Sequence, residues 1–422
     1  SLTNSFNMEV KRVVVTGLGA VSPLGNTVSE TWENLKQGVS GANLITHFDV
    51  TNFKTKFACE VKNFDPANYF DRKEIKKYDP FTQYALVSAA EAMEDSGLDV
   101  ESIDKTRAGV IWASGIGGVE VLMQEMKNYF EGNKIPRFNP FFIPKLIIDI
   151  AAGFISIKYG FMGPNYSTVS ACASSSNAVI NACNLIRLGY ADVIISGGSE
   201  AAVNEIGIGG FNALQAISTR NDDYLTASRP FCATRDGFVL GEGGAALILE
   251  EYEHAVKRGA KIYAEIAGIG LSADAYHITA PHPEGNGAAL VMSNALKDAH
   301  VAPEVVDYIN VHGTATPLGD IAELTAIKRV FGDHAFKLNI SSSKSMTGHL
   351  LGAAGALEAL ITIKAMENSI VPPTINHHEK DENIDERFNL TFHKAVERPI
   401  NYGLSNTFGF GGHNTSIIFK KS

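Results

Sequence analysis

An apolar run of strand length, a polar residue among small or glycine neighbours, then a helix rich in alanine: this order occurs in both halves of the chain. In the first half, Ala108 to Ser114 runs into Gly115-Ile116-Gly117-Gly118. Ser167-Thr168-Val169-Ser170-Ala171-Cys172 then leads into an Ala/Ser segment ending at Gly189. In the second half, Tyr308 to Val311 runs into His312-Gly313-Thr314-Ala315-Thr316. Asn339 to Ser342 runs into Lys344, then Met346-Thr347-Gly348-His349, and the small-residue helix Leu350 to Ala365 follows. Strands alternating with helices predict an α/β protein. A new strand near Ile262 divides it into an N-terminal half, residues 8–259, and a C-terminal half, residues 260–422. Each half is expected to end in a strand pair around a glycine turn, Asp236 to Leu249 in the first and Leu404 to Phe419 in the second.

At 422 residues, with 45% hydrophobic residues, 39 Gly and 15 Pro, the chain has the composition of an ordered globular protein with an ample core. A net charge of -10 argues against general binding to nucleic acid or to an anionic membrane surface. The most apolar stretch, Leu146 to Ile157, contains Asp149 and is shorter than the about 20 residues a spanning helix needs. The four cysteines, at 59, 172, 183 and 232, have neither metal-ligand spacing nor the density of a disulfide framework, so a reducing cytoplasm is expected. No signal peptide is read at the N-terminus, and residues 1–7 read as a cloning remnant.

Near the N-terminus, Val10 to Leu18 reads as a buried strand that Gly17, Gly19, Pro23 and Gly25 turn into a helix carrying Trp32 and Leu35. The Gly17-Leu18-Gly19 segment lacks the third glycine of a dinucleotide fingerprint and the Gly-Lys-Ser/Thr of a phosphate loop. Arg72, Lys73, Lys76 and Lys77 form a basic run that is either a solvated face or a docking patch for an acidic partner. The aromatic loop Phe138 to Pro144 is expected to be covered, by the core or by a second subunit.

Cys172, Ser176, Val179, Cys183 and Ile186 share a helical face, which puts Cys172 on a first helical turn. Unpaired N–H groups and the helix dipole there favour thiolate. A thiol in that place is a nucleophile or a small core residue, and the cysteine alone does not decide between them. His312 and His349 both stand at junctions between regular elements, where open α/β sheets build sites, with Thr314, Thr316 and Lys344 close in sequence.

Four segments, Thr168 to Ser175, His312-Gly313-Thr314-Ala315-Thr316-Pro317-Leu318-Gly319-Asp320, Ser343 to His349 and Asn406-Thr407-Phe408-Gly409-Phe410-Gly411-Gly412, resemble in order and spacing the signatures of β-ketoacyl-acyl-carrier-protein synthases. The resemblance runs from about Val10 to the last strand and is strongest to the elongating type II enzymes of bacterial fatty-acid synthesis. It implies a thiolase-like layered αβαβα fold with two pseudo-symmetric halves, a homodimer, and acyl carrier protein as the partner that delivers acyl and malonyl groups. It implies no cofactor and no metal.

The resemblance also implies roles. Cys172 would carry the acyl chain, with the N–H groups of Cys172 and Phe410 facing the thioester oxygen and Phe410 gating the cysteine. His312 and His349 would stabilise the enolate left by malonyl decarboxylation. Lys344 would support them, with Glu358, Asp320 and Glu323 in its network. Thr314 and Thr316 would bind the phosphopantetheine arm. Phe408 belongs to the same substrate-contacting set, and Ile116 and Phe142 would line the acyl pocket, Phe142 from the dimer partner. Arg72 to Lys77, with Lys134 and Arg137, would face the acidic carrier protein. His413 departs from the pattern, standing where threonine is common. Thiolases use a second cysteine near the C-terminus, and this chain has none after Cys232. The initiating synthases pair cysteine with histidine and asparagine, so a second histidine points to elongation. A ketosynthase of a polyketide or aryl-polyene pathway would keep the same motifs; a non-catalytic chain-length-factor subunit would lack the cysteine.

Overall fold

The computed structural model describes residues 9–422, so the reading of residues 1–7 lies outside the described residues. Ten strands form one mixed sheet, and six long helices cover it. The first half runs β1 (Val13–Val21), α1 (Pro80–Ser96), β2 (Ala108–Ala113), α2 (Ile150–Tyr159), β3 (Asn165–Tyr166), α3 (Ser174–Arg187), β4 (Val193–Glu200) and β5 (Gly243–Glu251). The second half runs β6 (Ala264–Ala273), α4 (Asn286–Ala299), β7 (Tyr308–Asn310), α5 (Gly319–Phe331), β8 (Asn339–Ser341), α6 (Ala354–Asn368), β9 (Tyr402–Gly409) and β10 (His413–Lys420). The two sequences of elements are the same, βαβαβαββ.

Strand pairing repeats as well. In space the order is β8-β7-β9-β10-β6-β1-β5-β4-β2-β3. The edge strands β3, β2 and β4 are parallel, and β5 and β1 follow antiparallel. The strands β8, β7, β9, β10 and β6 repeat that pattern outward from the centre. The halves join where β1 meets β6 over only Val14↔Glu265 and Val15↔Ala264. So short a seam lets the sheet fold over, and α3 and α6 lie between its halves. Helix α3 packs on β2 and β4, α6 on β9 and β5, and the two helices on each other. Helices α1 and α2 cover the outside of one half and α4 and α5 the outside of the other, which gives the αβαβα layering.

Three apolar clusters fill the layers: one around α3 and α6, one under α1 and α2, one under α4 and α5. The alanine and serine content of the central helices follows from their close approach. A Cβ on Gly355 of α6 would lie 2.6 Å from the Ser176 side chain of α3. The same reason corrects the expectation for Gly17 and Gly19, which lie inside β1 and not in a turn. A Cβ at either position would strike the α1 backbone, 2.3 Å from the Ala92 oxygen or 1.9 Å from the Ser88 oxygen.

The expected strand pair over Asp236 to Leu249 is also corrected. Only β5 is a strand there. The preceding Phe238–Glu242 segment is held by the chain around Cys59 and His349, through bonds such as Gly241 N–H to the His349 carbonyl (2.9 Å). The first half therefore reaches β5 from β4 through a long excursion, whereas β9 and β10 form a true hairpin. Among the described residues no helix is long and apolar enough to cross a membrane.

Candidate active site

Cys172 and His349 both stand just before the two central helices, Cys172 within the turn that leads into α3 and His349 two residues before the equivalent turn that leads into α6. A short 3₁₀ turn, Ala171–Ala173, precedes α3, and Leu351–Ala353 precedes α6. Each turn opens on a non-glycine residue with positive φ, Ala171 at 52° and Leu351 at 51°. That conformation is uncommon for a residue with a Cβ and costs about 1–2 kcal/mol. The residue that follows Ala171 is Cys172, which is buried.

Both histidines face a cavity of about 460 Å³ that also exposes Cys172, Thr314, Thr316, Phe408 and Phe410; small-molecule sites span roughly 300–1,000 Å³. The imidazole rings are 5.4 Å apart and nearly perpendicular, at 89°. Each Nδ1 accepts a backbone N–H: His312 from Phe408 at 3.4 Å, His349 from Leu351 at 3.2 Å. With Nδ1 occupied as an acceptor, the proton of a neutral ring sits on Nε2. Burial and the Lys344 charge hold both rings well below the usual histidine range, so both stay neutral. The cavity therefore contains two neutral N–H donors.

Lys344 is buried, with Nζ 3.5 Å from His312 Nδ1 and 2.7 Å from each carboxylate oxygen of Glu358. Burial pushes the Glu358 carboxyl up, and the facing ammonium pulls it back. With both oxygens taking N–H bonds from one ammonium, the pair is ionic, and it keeps a positive charge beside the histidines.

The other two carboxylates of the expected Lys344 network take backbone partners. Glu323 accepts the N–H groups of His312 and Gly313, both at 2.9 Å, and the Asn406 amide at 3.2 Å. Burial pushes its carboxyl up to about 7. Asp320 accepts the N–H groups of Phe231 (2.8 Å) and Ala315 (3.2 Å) and lies 3.6 Å from Arg235 Nε. These two residues fix the turn that carries His312, Thr314 and Thr316.

The thiol differs from its sequence expectation. Cys172 lies before α3 in an apolar cluster with Ala202, Ile208, Phe238 and Leu351. Burial pushes it up to about 12, against the Lys344 charge and the Phe410 and Cys172 N–H groups. The resting group is a thiol, because loss of hydration outweighs the helix terminus. The Phe410 and Cys172 N–H groups both favour negative charge at the sulfur, as donors near a carbonyl attached to it would.

Ile116 and Phe142 do not line the cavity. Ile116 sits on the surface of the single chain, and Phe142 opens the short helix Phe142–Leu146 beside Phe138, with Phe138, Phe141 and Ile143 exposed. The sequence reading also passed over the loop that forms the cavity rim, including Asp274, His277 and His282. That loop lacks hydrophobic periodicity, and only its hydrogen bonds to the glycine turn place it: Asp274 N–H to the Gly412 carbonyl, 2.9 Å, and Gly411 N–H to the Ile278 carbonyl, 2.7 Å.

Comparison with known proteins agrees with this arrangement. The β-ketoacyl synthase N-terminal domain matches residues 10–255 and the β-ketoacyl synthase C-terminal domain residues 263–378. The 3-oxoacyl-[acyl-carrier-protein] synthase 2 of Coxiella burnetii is 50% identical over 415 residues, covering 98% of this chain and 99% of the relative. The enzyme of the same name from Vibrio harveyi is 46% identical with the same coverage. Among solved structures, a β-ketoacyl synthase from Burkholderia phymatum superposes with a TM-score of 0.90 at 36% identity, covering 98% of this chain and 100% of that one. A ketosynthase solved with its type II polyketide acyl-carrier protein and bound to the hexaketide also gives 0.90, at 35% identity and the same coverage. With both domains matched in series along the same βαβαβαββ halves, the chain belongs to the β-ketoacyl synthase family.

Proposed function

We propose that the protein is an elongating 3-oxoacyl-acyl-carrier-protein synthase of fatty-acid synthesis, joining an acyl group to a malonyl unit with loss of CO₂. The observation that carries this reading is the pair of neutral Nε2–H donors facing the cavity that exposes Cys172. In the first step the Cys172 sulfur attacks the acyl thioester of the carrier protein; a C–S bond forms to Cys172, the bond to the carrier sulfur breaks, and the thiol proton ends on the carrier. The N–H groups of Cys172 and Phe410 hold the oxyanion of this step.

Malonyl-carrier protein then occupies the cavity, with Thr314 and Thr316 along its pantetheine arm. Cleavage of the malonyl C–C bond releases CO₂ and leaves its electron pair as an enolate, whose oxygen accepts hydrogen bonds from His312 and His349. Lys344, held by Glu358, adds positive charge without placing an ammonium on the oxygen itself. The enolate carbon attacks the acyl carbonyl, the C–S bond to Cys172 breaks, and the sulfur regains a proton. No second acid/base cysteine is required, because decarboxylation rather than proton abstraction makes the carbanion.

Carrier protein is the partner this chemistry demands, and exposed Arg72, Lys73, Lys76, Lys77, Lys134 and Arg137 offer it a basic face. A homodimer would cover the exposed aromatic loop and bring Phe142 of the partner subunit, with Ile116, to the acyl chain. The four free, buried cysteines suit a reducing cytoplasm. Relatives at 46–50% identity named for 3-oxoacyl-carrier-protein synthesis favour the fatty-acid reading over a dedicated polyketide pathway, whose solved neighbour is 35% identical. The retained cysteine and histidines oppose a chain-length-factor role. Incubation with acyl-carrier protein should add the acyl mass to Cys172 and leave Cys172→Ala unmodified; an adduct on Cys183 or Cys232 overturns the assignment.

A further inference from the structure

Among the buried carboxylates that the catalytic scheme leaves without a role, Glu200 is bonded to turns from both halves of the chain. Glu200, the last residue of β4, is fully buried, and its oxygens accept four hydrogen bonds. Three come from the turn after β2: Ser114 Oγ–H at 2.8 Å, Gly115 N–H at 2.9 Å and Ile116 N–H at 3.1 Å. The fourth is the Gly352 N–H at 3.0 Å, from the turn before α6. Burial pushes its carboxyl up from the usual range, and the four donors pull it back. The space around it is filled: a Cβ on Gly352 would lie 2.3 Å from the Gly115 nitrogen, and a Cβ on Gly115 would lie 2.7 Å from Glu200 Oε1.

What Glu200 joins gives it meaning. The Leu351 N–H that occupies His349 Nδ1 is one residue from Gly352. The β2 turn presents Ile116. Glu323 cradles the pseudo-equivalent turn after β7 in the same manner, through the His312 and Gly313 N–H groups. We infer that Glu200 is a positioning residue that ties the turn bearing Ile116 to the turn that sets the tautomer of His349. Acyl-chain recognition and malonyl decarboxylation are thereby coupled through one side chain that touches neither substrate. The coupling of acyl-chain recognition to decarboxylation rests on the proposed condensation and on the acyl-pocket role proposed for Ile116; the tie between the two turns rests on the hydrogen bonds alone.

The test is Glu200→Gln, which keeps the shape but turns an amide NH₂ against backbone donors. Decarboxylation of malonyl-carrier protein, measured with Cys172→Gln to isolate it, should fall on the order of tenfold to a hundredfold in kcat with KM little changed. In parallel, ¹⁵N spectra should show His349 leaving its single Nε2–H form, and Glu200→Asp should recover part of both. If Glu200→Gln folds and keeps the tautomer and the kcat within twofold, the inference is overturned. If Glu200→Gln does not fold, Ser114→Ala carries the test, since it removes one of the three bonds between Glu200 and the Ile116 turn and leaves the Gly352 bond. A changed ratio of long to short acyl donors together with slower decarboxylation then supports the tie, and a change in only one of them, or in neither, overturns it. A wild-type protein that does not decarboxylate malonyl-carrier protein defeats the functional proposal instead, and the His349 spectrum still judges the role of Glu200.

Discussion

The two halves of the molecule share one topology and carry different side chains at its equivalent places. The turn before α3 carries Cys172, and at the equivalent place before α6 the chain has Gly352, with the same positive-φ residue in front of it. The turn after β7 carries His312, and the turn after β2 carries Ile116. Each of those turns is cradled by a buried glutamate, but Glu323 comes from α5 and Glu200 from the end of β4. The framework therefore repeats while its side chains do not: in the proposed reaction one half would supply the Cys172 nucleophile, the other the imidazoles, the lysine and the Phe410 donor. A duplicated fold can hold reactive groups at two pseudo-equivalent helix heads facing one cavity, and each is then free to specialise.

The comparison breaks most sharply at the histidines. With Cys172→Gln as background, replacing His312 or His349 by Ala should lower malonyl decarboxylation about 10²–10³-fold each, as for loss of an oxyanion donor. Unchanged decarboxylation after both replacements would assign the enolate to the other half. Next comes the buried pair: Lys344→Met leaves Glu358 uncompensated and should cost about 3–5 kcal/mol in denaturant unfolding. The double variant Lys344→Met/Glu358→Leu should recover much of that stability and none of the activity.

The two cradling glutamates offer a pH test. Burial raises Glu323 from 4.5 to about 7, so the folded carboxyl holds its proton more tightly than the unfolded one. That preference favours the fold fully below about pH 4.5 and is lost as pH rises to about 7. The stability of the wild type relative to Glu323→Gln should therefore decline across that window, by up to about 3 kcal/mol, and level off above it. A flat difference would place the Glu323 titration elsewhere. The smallest effect concerns the two positive-φ residues. Ala171→Gly should raise stability by up to about 1 kcal/mol, relief of about 1–2 kcal/mol of backbone strain set against about 0.4–1 kcal/mol of added unfolded-chain freedom, whereas Leu351→Gly, which also empties a buried site, should lower it; a loss of stability in Ala171→Gly would show that its turn is not strained.

Most regular elements were legible from periodicity and glycine placement. Helix α3 and strand β2 follow from their own residues, and the hairpin of β9 and β10 announces itself in Gly409-Phe410-Gly411-Gly412. The errors have one cause. Gly17 and Gly19 look like a turn but serve the approach of α1, some seventy residues later, and Phe238–Glu242 looks like a strand of a hairpin but is held by the chain around Cys59 and His349. Local pattern reports what a residue permits; the partner that uses the permission is distant.

The same division holds for the site. Sequence alone singled out Cys172, His312, His349 and Lys344 as candidate reactive groups and determined the α/β alternation that brings them to the ends of strands and helices. Tertiary structure decided their chemical state. Whether Cys172 rests as thiol or thiolate, which nitrogen of each histidine carries the proton, and whether Asp320 and Glu323 serve the lysine or the backbone all depend on burial and on hydrogen-bond partners brought from elsewhere in the chain. Desolvation and donor geometry are properties of the packed interior, and no order of residues states them before the chain has folded.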